Sequence, residues 1–170
     1  RHTRFRNVTG VQTCALPILT AADAWPDEER QYQAYRALLE GMAPGSVTVR
    51  TFDIDEDQLT RMLEGSGHGA TWDDGTDRGS RQGLRGVRLS LARPDLFRAQ
   101  IRALLRAARH GSLRIVFPFV TSVEQLREAR QIIEEVGQAL TARGERVPRV
   151  PIGAMIEVPA AAYTADLLAQ

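Results

Sequence analysis

The chain has 170 residues, 43% of them hydrophobic and 25% charged, with a formal net charge of +1. That length suffices for one domain with a substantial core, and no apolar run is long enough to cross a bilayer. Every basic side chain is Arg, and because Arg1, Arg4 and Arg6 all precede the first acid, Asp23, the chain from Leu19 onward is slightly acidic; overall charge therefore gives no attraction to nucleic acid or membrane.

Arg1–Asn7 is basic and free of acids, in the manner of a transit segment, whereas no apolar region of the length a secretory signal needs follows it. Val8 to Ile18 looks like the translation of a sequencing adapter. Residues 1–18 are therefore read as a non-native, disordered head that packs on nothing, and residues 19–170 as the domain. Cys14, the only cysteine, falls in that head, which leaves the domain without a thiol for a disulfide, a metal or covalent catalysis.

The domain opens with Asp27-Glu28-Glu29, acids suited to the first turn of a helix. Tyr32, Tyr35, Leu38, Leu39 and Met42 recur at helical spacing and are read as core, with Pro44 and Gly45 closing the element. Ser46 to Asp53 is rich in β-branched residues and is read as a strand that ends in charge, at Arg50 and Asp53. The acids Asp53, Asp55, Glu56 and Asp57 lack the spacing of a calcium loop and are read as a solvated loop. Leu59, Met62 and Leu63 indicate a brief helical turn. Gly65 to Gly86 is dense in Gly, Asp, Arg and Ser and matches neither a phosphate loop nor a dinucleotide fingerprint.

Pro94 begins a strong helix whose apolar face is Leu96, Phe97, Ile101, Leu104, Leu105 and Ala108, ended by Gly111. Arg98, Arg102, Arg106 and Arg109 line another face. Without interleaved aromatics they are read as a solvated face and not as a nucleic-acid surface. Leu113 to Val120 is a buried strand, and Thr121-Ser122-Val123-Glu124 offers a capping box for a helix with core stripe Val123, Leu126, Ile133, Val136 and Leu140. Pro151 to Pro159 is a strand apolar on both faces, of the kind found in parallel sheets. It ends at a single carboxylate, Glu157, with a last helix from about Ala160. The order strand, helix, strand, helix, strand, helix predicts an α/β fold with a parallel sheet and right-handed crossovers. Ligands of such folds sit at the C-terminal ends of the strands, which is where Glu157 falls.

Five stretches carry a resemblance. They are Val49-Arg50-Thr51-Phe52-Asp53-Ile54, Leu84-Arg85-Gly86-Val87-Arg88, Gln100 to Ala107, Leu113 to Phe119 with Ser122-Val123-Glu124, and Ile152 to Ala161. In that order they resemble phosphoenolpyruvate–protein phosphotransferase, enzyme I of the bacterial sugar phosphotransferase system, over essentially all of Leu19–Gln170. The resemblance implies a partial (β/α)8 TIM barrel holding about strands two to four with their helices. It implies that Arg50 and Arg85 bind phosphoenolpyruvate and that Glu157 ligates Mg²⁺; no catalytic residue is assigned. Paired hydrogen bonds from guanidinium forks suit phosphate and carboxylate, Mg²⁺ uses few protein carboxylates, and phosphoryl transfer is mainly positioning and charge neutralisation.

Two departures stand out. Leu84 precedes Arg85 where the family has Trp, and Asp55, Glu56 and Gln58 replace its Gly-Gly and Lys. The phosphorylated-His domain, the first barrel strand with its Arg, the Asn-Asp motif and the catalytic Cys are not in the sequence, so the expectation is a fragment without turnover of its own. His68 and His110 are read as loop or surface residues. The resemblance further implies a cytoplasmic, homodimeric parent that passes phosphate to a His-containing phosphocarrier protein, with no nucleic-acid or membrane partner. Two rival readings are a fragment of a pyruvate phosphate dikinase or phosphoenolpyruvate synthase, which share the barrel, and a non-catalytic Arg-rich interaction module.

Overall fold

The structure is a computed structural model that describes residues 11–14, 25–54, 56–65 and 84–169. Within them, four parallel strands lie side by side in chain order: β1 (Val11–Cys14), β2 (Ser46–Arg50), β3 (Ser112–Phe117) and β4 (Ile152–Ala154). The helices are α1 (Glu28–Met42), α2 (Glu56–Gly65), α3 (Val87–Ala92), α4 (Pro94–Ala107), α5 (Val123–Ala142), α6 (Pro159–Tyr163) and α7 (Ala165–Leu168).

The sheet is two-faced. Register sets Val47 beside Leu113, and Val49 beside Ile115, which is beside Ile152. Val47, Val49, Leu113, Ile115 and Phe117 are all buried. The alternate positions run Thr48 beside Arg114, then Arg50, Val116 and Gly153 in one row, and Ser112 and Arg114 are exposed. Because successive side chains of a strand point to opposite faces, only one face is covered by helices among the described residues. The expectation of strands buried on both faces is thus corrected. In the last strand all three residues, Ile152 to Ala154, are only half-buried.

α1, α4 and α5 lie next to one another against the buried face. α1 is capped by Asp27, whose side chain accepts from the Arg30 N–H at 2.7 Å, and it buries Tyr32, Tyr35 and Leu39 at helical spacing. At the centre is Phe97 of α4. Its ring meets Phe52 and Phe117 edge-on, with centroids 6.5 and 6.1 Å away, and Trp25 stands edge-on to Phe52 at 5.3 Å. This aromatic chain fixes the ends of β2 and β3 against α4. Burying a ring the size of Phe97 stabilises the fold by about 1.5–3 kcal/mol.

Several expectations are revised. Val11–Cys14 does not hang free. It pairs with β2 in register, Val11 beside Val47 through Cys14 beside Arg50. A strand edge offers unpaired N–H and C=O groups to any extended, β-prone run, and Val11-Gln12-Thr13 is one. The rest of residues 1–18 lies outside the described residues, as do residues 66–83 of the Gly-rich loop, His68 among them. β4 is also shorter than the apolar run that announces it. After Ala154 one further bond, Met155 N–H to the Phe117 carbonyl at 2.9 Å, extends the pairing, and the last helix is broken into α6 and α7.

The arginine row of α4 is not a solvated face. Arg102 donates to Glu28 at 2.6 Å, Arg106 reaches both Glu28 and Glu29 at 2.8 Å, and Arg98 pairs with Glu135. The row ties α4 to α1 on one side and to α5 on the other. Arg109 donates to the Tyr32 hydroxyl at 2.9 Å, and His110, far from being a loose surface residue, contacts that hydroxyl at 3.0 Å and Glu40 at 3.2 Å.

Candidate functional site

The C-terminal ends of β2, β3 and β4 lie along one edge of the sheet, as parallel strands in register must. β2 ends at Arg50, but the segment that follows is held as tightly as the strand. Thr51 N–H donates to the Val116 carbonyl at 3.1 Å. Phe52 N–H donates to Gln100 Oε1 at 3.2 Å, and Gln100 Nε2 donates to the Tyr35 hydroxyl at 3.0 Å. Gln100 and Tyr35 are both buried, so this relay anchors the backbone between Arg50 and Asp53 from beneath. Buried polar groups of this kind are costly unless paired, which makes a paired one a precise spacer.

Arg50 stands on the sheet face away from the helices, its side chain 24% exposed, and its guanidinium lies 3.4 Å from Asp53 Oδ2. Asp53, with its side chain only 3% exposed, also takes the Arg85 guanidinium at two points, Nε to Oδ1 at 2.8 Å and Nη2 to Oδ2 at 3.4 Å. The reading of Asp53 as part of a solvated loop is therefore corrected: its carboxylate is the buried hinge between two guanidinium groups. Arg85 remains 55% exposed.

Arg85 is placed by its neighbour. Gly86 has φ 59°, and a Cβ there would lie 2.8 Å from the Pro118 carbonyl oxygen; only glycine accepts both conditions without strain. The contact lets Val87 N–H donate to that same Pro118 carbonyl at 3.0 Å, docking α3 onto the end of β3. The chain then passes through Phe119, whose φ of 52° is unusual for a bulky residue and costs on the order of 1–3 kcal/mol. The Phe119 ring lies under the Arg85 guanidinium, 4.8 Å from centroid to Cζ. Its N–H donates to Glu157 Oε1 at 2.7 Å.

The structure thus brings Arg50 and Arg85 together on Asp53, and it joins Glu157 to Arg85 through Phe119. All lie on one rim. Glu157 is exposed, three residues beyond β4. Among the described residues no group of three or more His, Cys, Asp or Glu side chains could hold a metal. A cation here would have to draw most of its oxygens from water or a ligand. A groove of about 240 Å³ between α5 and α7, lined by Val123, Leu126, Arg127, Arg130, Leu167 and Leu168, includes none of the rim residues.

Three contributors escaped the sequence reading. Gln100 had a signal, being a polar residue on the apolar stripe of Phe97, Ile101 and Leu104. Asp53 had a weaker one, its three-residue distance from Arg50. Phe119 had none, since its part depends on a backbone angle and on a residue from another strand.

The family described as PEP-utilising enzyme, PEP-binding domain, matches residues 13–170. Among curated proteins, the chain is 40% identical over 149 residues to a phosphoenolpyruvate-protein phosphotransferase of Listeria monocytogenes, covering 87% of this chain and 24% of that protein. It is 42% identical over 149 residues to the protein of that name from Enterococcus faecalis, covering 86% and 24%. With the one from Mycoplasma pneumoniae the identity is 40% over 144 residues, covering 85% and 23%. The chain spans about a quarter of the length of these relatives. A match over nearly the whole chain places it in the family of PEP-utilising enzymes, within their PEP-binding domain.

Proposed function

We propose that the rim of Arg50, Arg85 and Glu157 grips phosphoenolpyruvate together with Mg²⁺, as part of a phosphoenolpyruvate–protein phosphotransferase. The observation that carries this reading is the convergence of the Arg50 and Arg85 guanidiniums on the buried Asp53 carboxylate. Asp53 holds the two cations close together, and the Arg85 side chain is 55% exposed. A dianionic phosphate next to a carboxylate matches such a pair, because each guanidinium offers two parallel donors and stays charged at any working pH. The transfer itself asks mostly for position and for charge to meet the moving group.

Glu157 fits Mg²⁺ as a single hard oxygen donor. One of its oxygens is fixed by the Phe119 N–H, so the carboxylate is oriented before any cation arrives, and Mg²⁺ commonly takes one or two carboxylates and completes its shell with water and substrate oxygens. When bound, the ion would neutralise charge on the phosphate oxygens. Arg50 and Arg85 orient the substrate, and Asp53 keeps them in place.

The wider setting follows the same proposal. Four parallel strands in unbroken chain order, with helices on one face, are what an arc of a (β/α)8 barrel requires; a doubly wound sheet reverses its strand order. The whole protein is read as passing phosphate from phosphoenolpyruvate to an enzyme histidine and on to a His-containing phosphocarrier protein, as a cytoplasmic homodimer in sugar transport. No helix among the described residues is long and apolar enough to cross a membrane.

Titration calorimetry of the chain with phosphoenolpyruvate in the presence of Mg²⁺ tests the reading, with pyruvate as the control. Saturable heat is expected for phosphoenolpyruvate and not for pyruvate, and it should be lost in Arg50→Ala and Arg85→Ala. Equal heats for both ligands, or wild-type affinity in both variants, would overturn it.

A further inference from the structure

We infer that Phe119 is a positioning residue that couples the anion-binding guanidinium of Arg85 to the carboxylate of Glu157. Through it, a cation arriving at Glu157 is felt at Arg85. The inference rests on the functional reading above and goes beyond it by naming how two halves of the rim communicate.

Three features meet in this one residue. Its backbone N–H donates to Glu157 Oε1 at 2.7 Å, a charge-assisted bond near the short end for nitrogen and oxygen. Its ring carries the Arg85 guanidinium at 4.8 Å, within the range where the negative face of an aromatic ring attracts a cation. Its φ of 52° is the left-handed conformation that a Phe rarely adopts. These features depend on one another. The backbone angle is what allows N–H and ring to serve Glu157 and Arg85 at once, and the preceding residue is fixed because its carbonyl accepts the Val87 N–H.

The link is short and stiff. From Glu157 to the Phe119 amide is one hydrogen bond, and from the amide to the ring is one residue whose preceding carbonyl is held by the Val87 N–H. From the ring to Arg85 is one face-on contact, and Arg85 is in turn tied to the buried Asp53. A change in the direction of the Glu157 carboxylate therefore shifts the plane on which Arg85 rests. Gly86 leaves the ring the room it needs beside Arg85, since a Cβ there would lie 3.0 Å from the Phe119 Cβ.

The test uses the ¹⁵N-labelled chain, following the Phe119 amide and the Arg85 Nε–H by NMR while Mg²⁺ and then phosphoenolpyruvate are added. In the wild type, Mg²⁺ alone moves both signals, and phosphoenolpyruvate moves Arg85 further. In Phe119→Leu, which keeps bulk but has no aromatic face, the Mg²⁺-induced shift at Arg85 disappears while the amide still responds. Phosphoenolpyruvate affinity should then fall about two- to fivefold, the worth of a single exposed cation–ring contact. Phe119→Trp restores the shift at Arg85. Melting curves of both variants identify any that fail to fold, and the other then decides: loss of the Arg85 response in Phe119→Trp also overturns the coupling. Arg85 shifts unchanged in Phe119→Leu overturn the coupling alone, leaving the binding site intact. A wild-type chain whose rim signals move with neither Mg²⁺ nor phosphoenolpyruvate overturns the functional reading and this inference with it.

Discussion

Asp53 holds Arg85 by two hydrogen bonds, Nε to Oδ1 at 2.8 Å and Nη2 to Oδ2 at 3.4 Å, although 32 residues separate them and one of the pair is buried while the other is largely exposed. A carboxylate 3% exposed and also 3.4 Å from Arg50 is the electrostatic floor of the rim. Asp53→Ala leaves two guanidiniums facing each other over an empty space. The expected loss of stability is about 1–3 kcal/mol, below the figure for a fully buried pair because both arginines reach solvent. Urea denaturation measures it; a midpoint equal to that of the wild type would contradict the bridging function.

Gln100 supports the same segment from the core side. Gln100→Leu preserves volume but deprives the buried Phe52 N–H of its acceptor. A loss of about 1–3 kcal/mol is expected, the desolvation cost of one buried donor left unmade. Phosphoenolpyruvate affinity should fall as well, although Gln100 lies beneath the rim, because Arg50 and Asp53 flank the released backbone. A variant that loses stability without losing affinity would restrict Gln100 to the core.

Gly86→Ala meets two obstacles at once, a φ of 59° and the Pro118 carbonyl oxygen 2.8 Å from the new methyl. Destabilisation of about 1–3 kcal/mol is expected. The Val87 N–H to Pro118 bond should open with it, which amide hydrogen exchange at Val87 would report as lost protection. Unchanged protection in the variant would show that the turn tolerates a side chain.

Acid should weaken the ion pairs that tie the helices together. The Arg98 guanidinium and then the Gln131 amide hold Glu135 below the usual carboxylate value of 4.5, and the Gln33 amide and then Arg106 do the same for Glu29. A carboxylate whose folded-state pKa is lowered adds stability above its unfolded value and loses it as pH falls through the folded one. The melting temperature should therefore drop as pH is lowered below about 4.5, and the drop should shrink in Arg98→Leu. Added salt should reduce the effect, since these carboxylates are exposed. An unchanged acid slope in the variant would exclude the Arg98–Glu135 pair as its source.

Much of the fold could be read from residue spacing, and the exceptions share one cause. α1 and α5 announce themselves through Tyr32, Tyr35 and Leu39 and through Leu126, Val136 and Leu140, because a helix repeats its buried face locally. β4 misleads because Met155 and Ile156 continue the apolar run after pairing has almost ended, and a strand's length depends on its neighbour. The α4 arginines looked solvated because their acids, Glu28 and Glu29, lie more than 70 residues away in the chain. At the rim, Arg50, Arg85 and Glu157 were visible by residue type and motif. Phe119 was not, since neither its backbone angle nor its approach to Arg85 has a local signature.

The location of the ligand itself bears most directly on the central claim. A crystal structure of the chain grown with phosphoenolpyruvate and Mg²⁺ should show the phosphate against the guanidiniums of Arg50 and Arg85, with the ion on Glu157. Phosphate density away from the β2 and β3 ends, or Glu157 turned from the Phe119 amide with no ion beside it, would contradict the account.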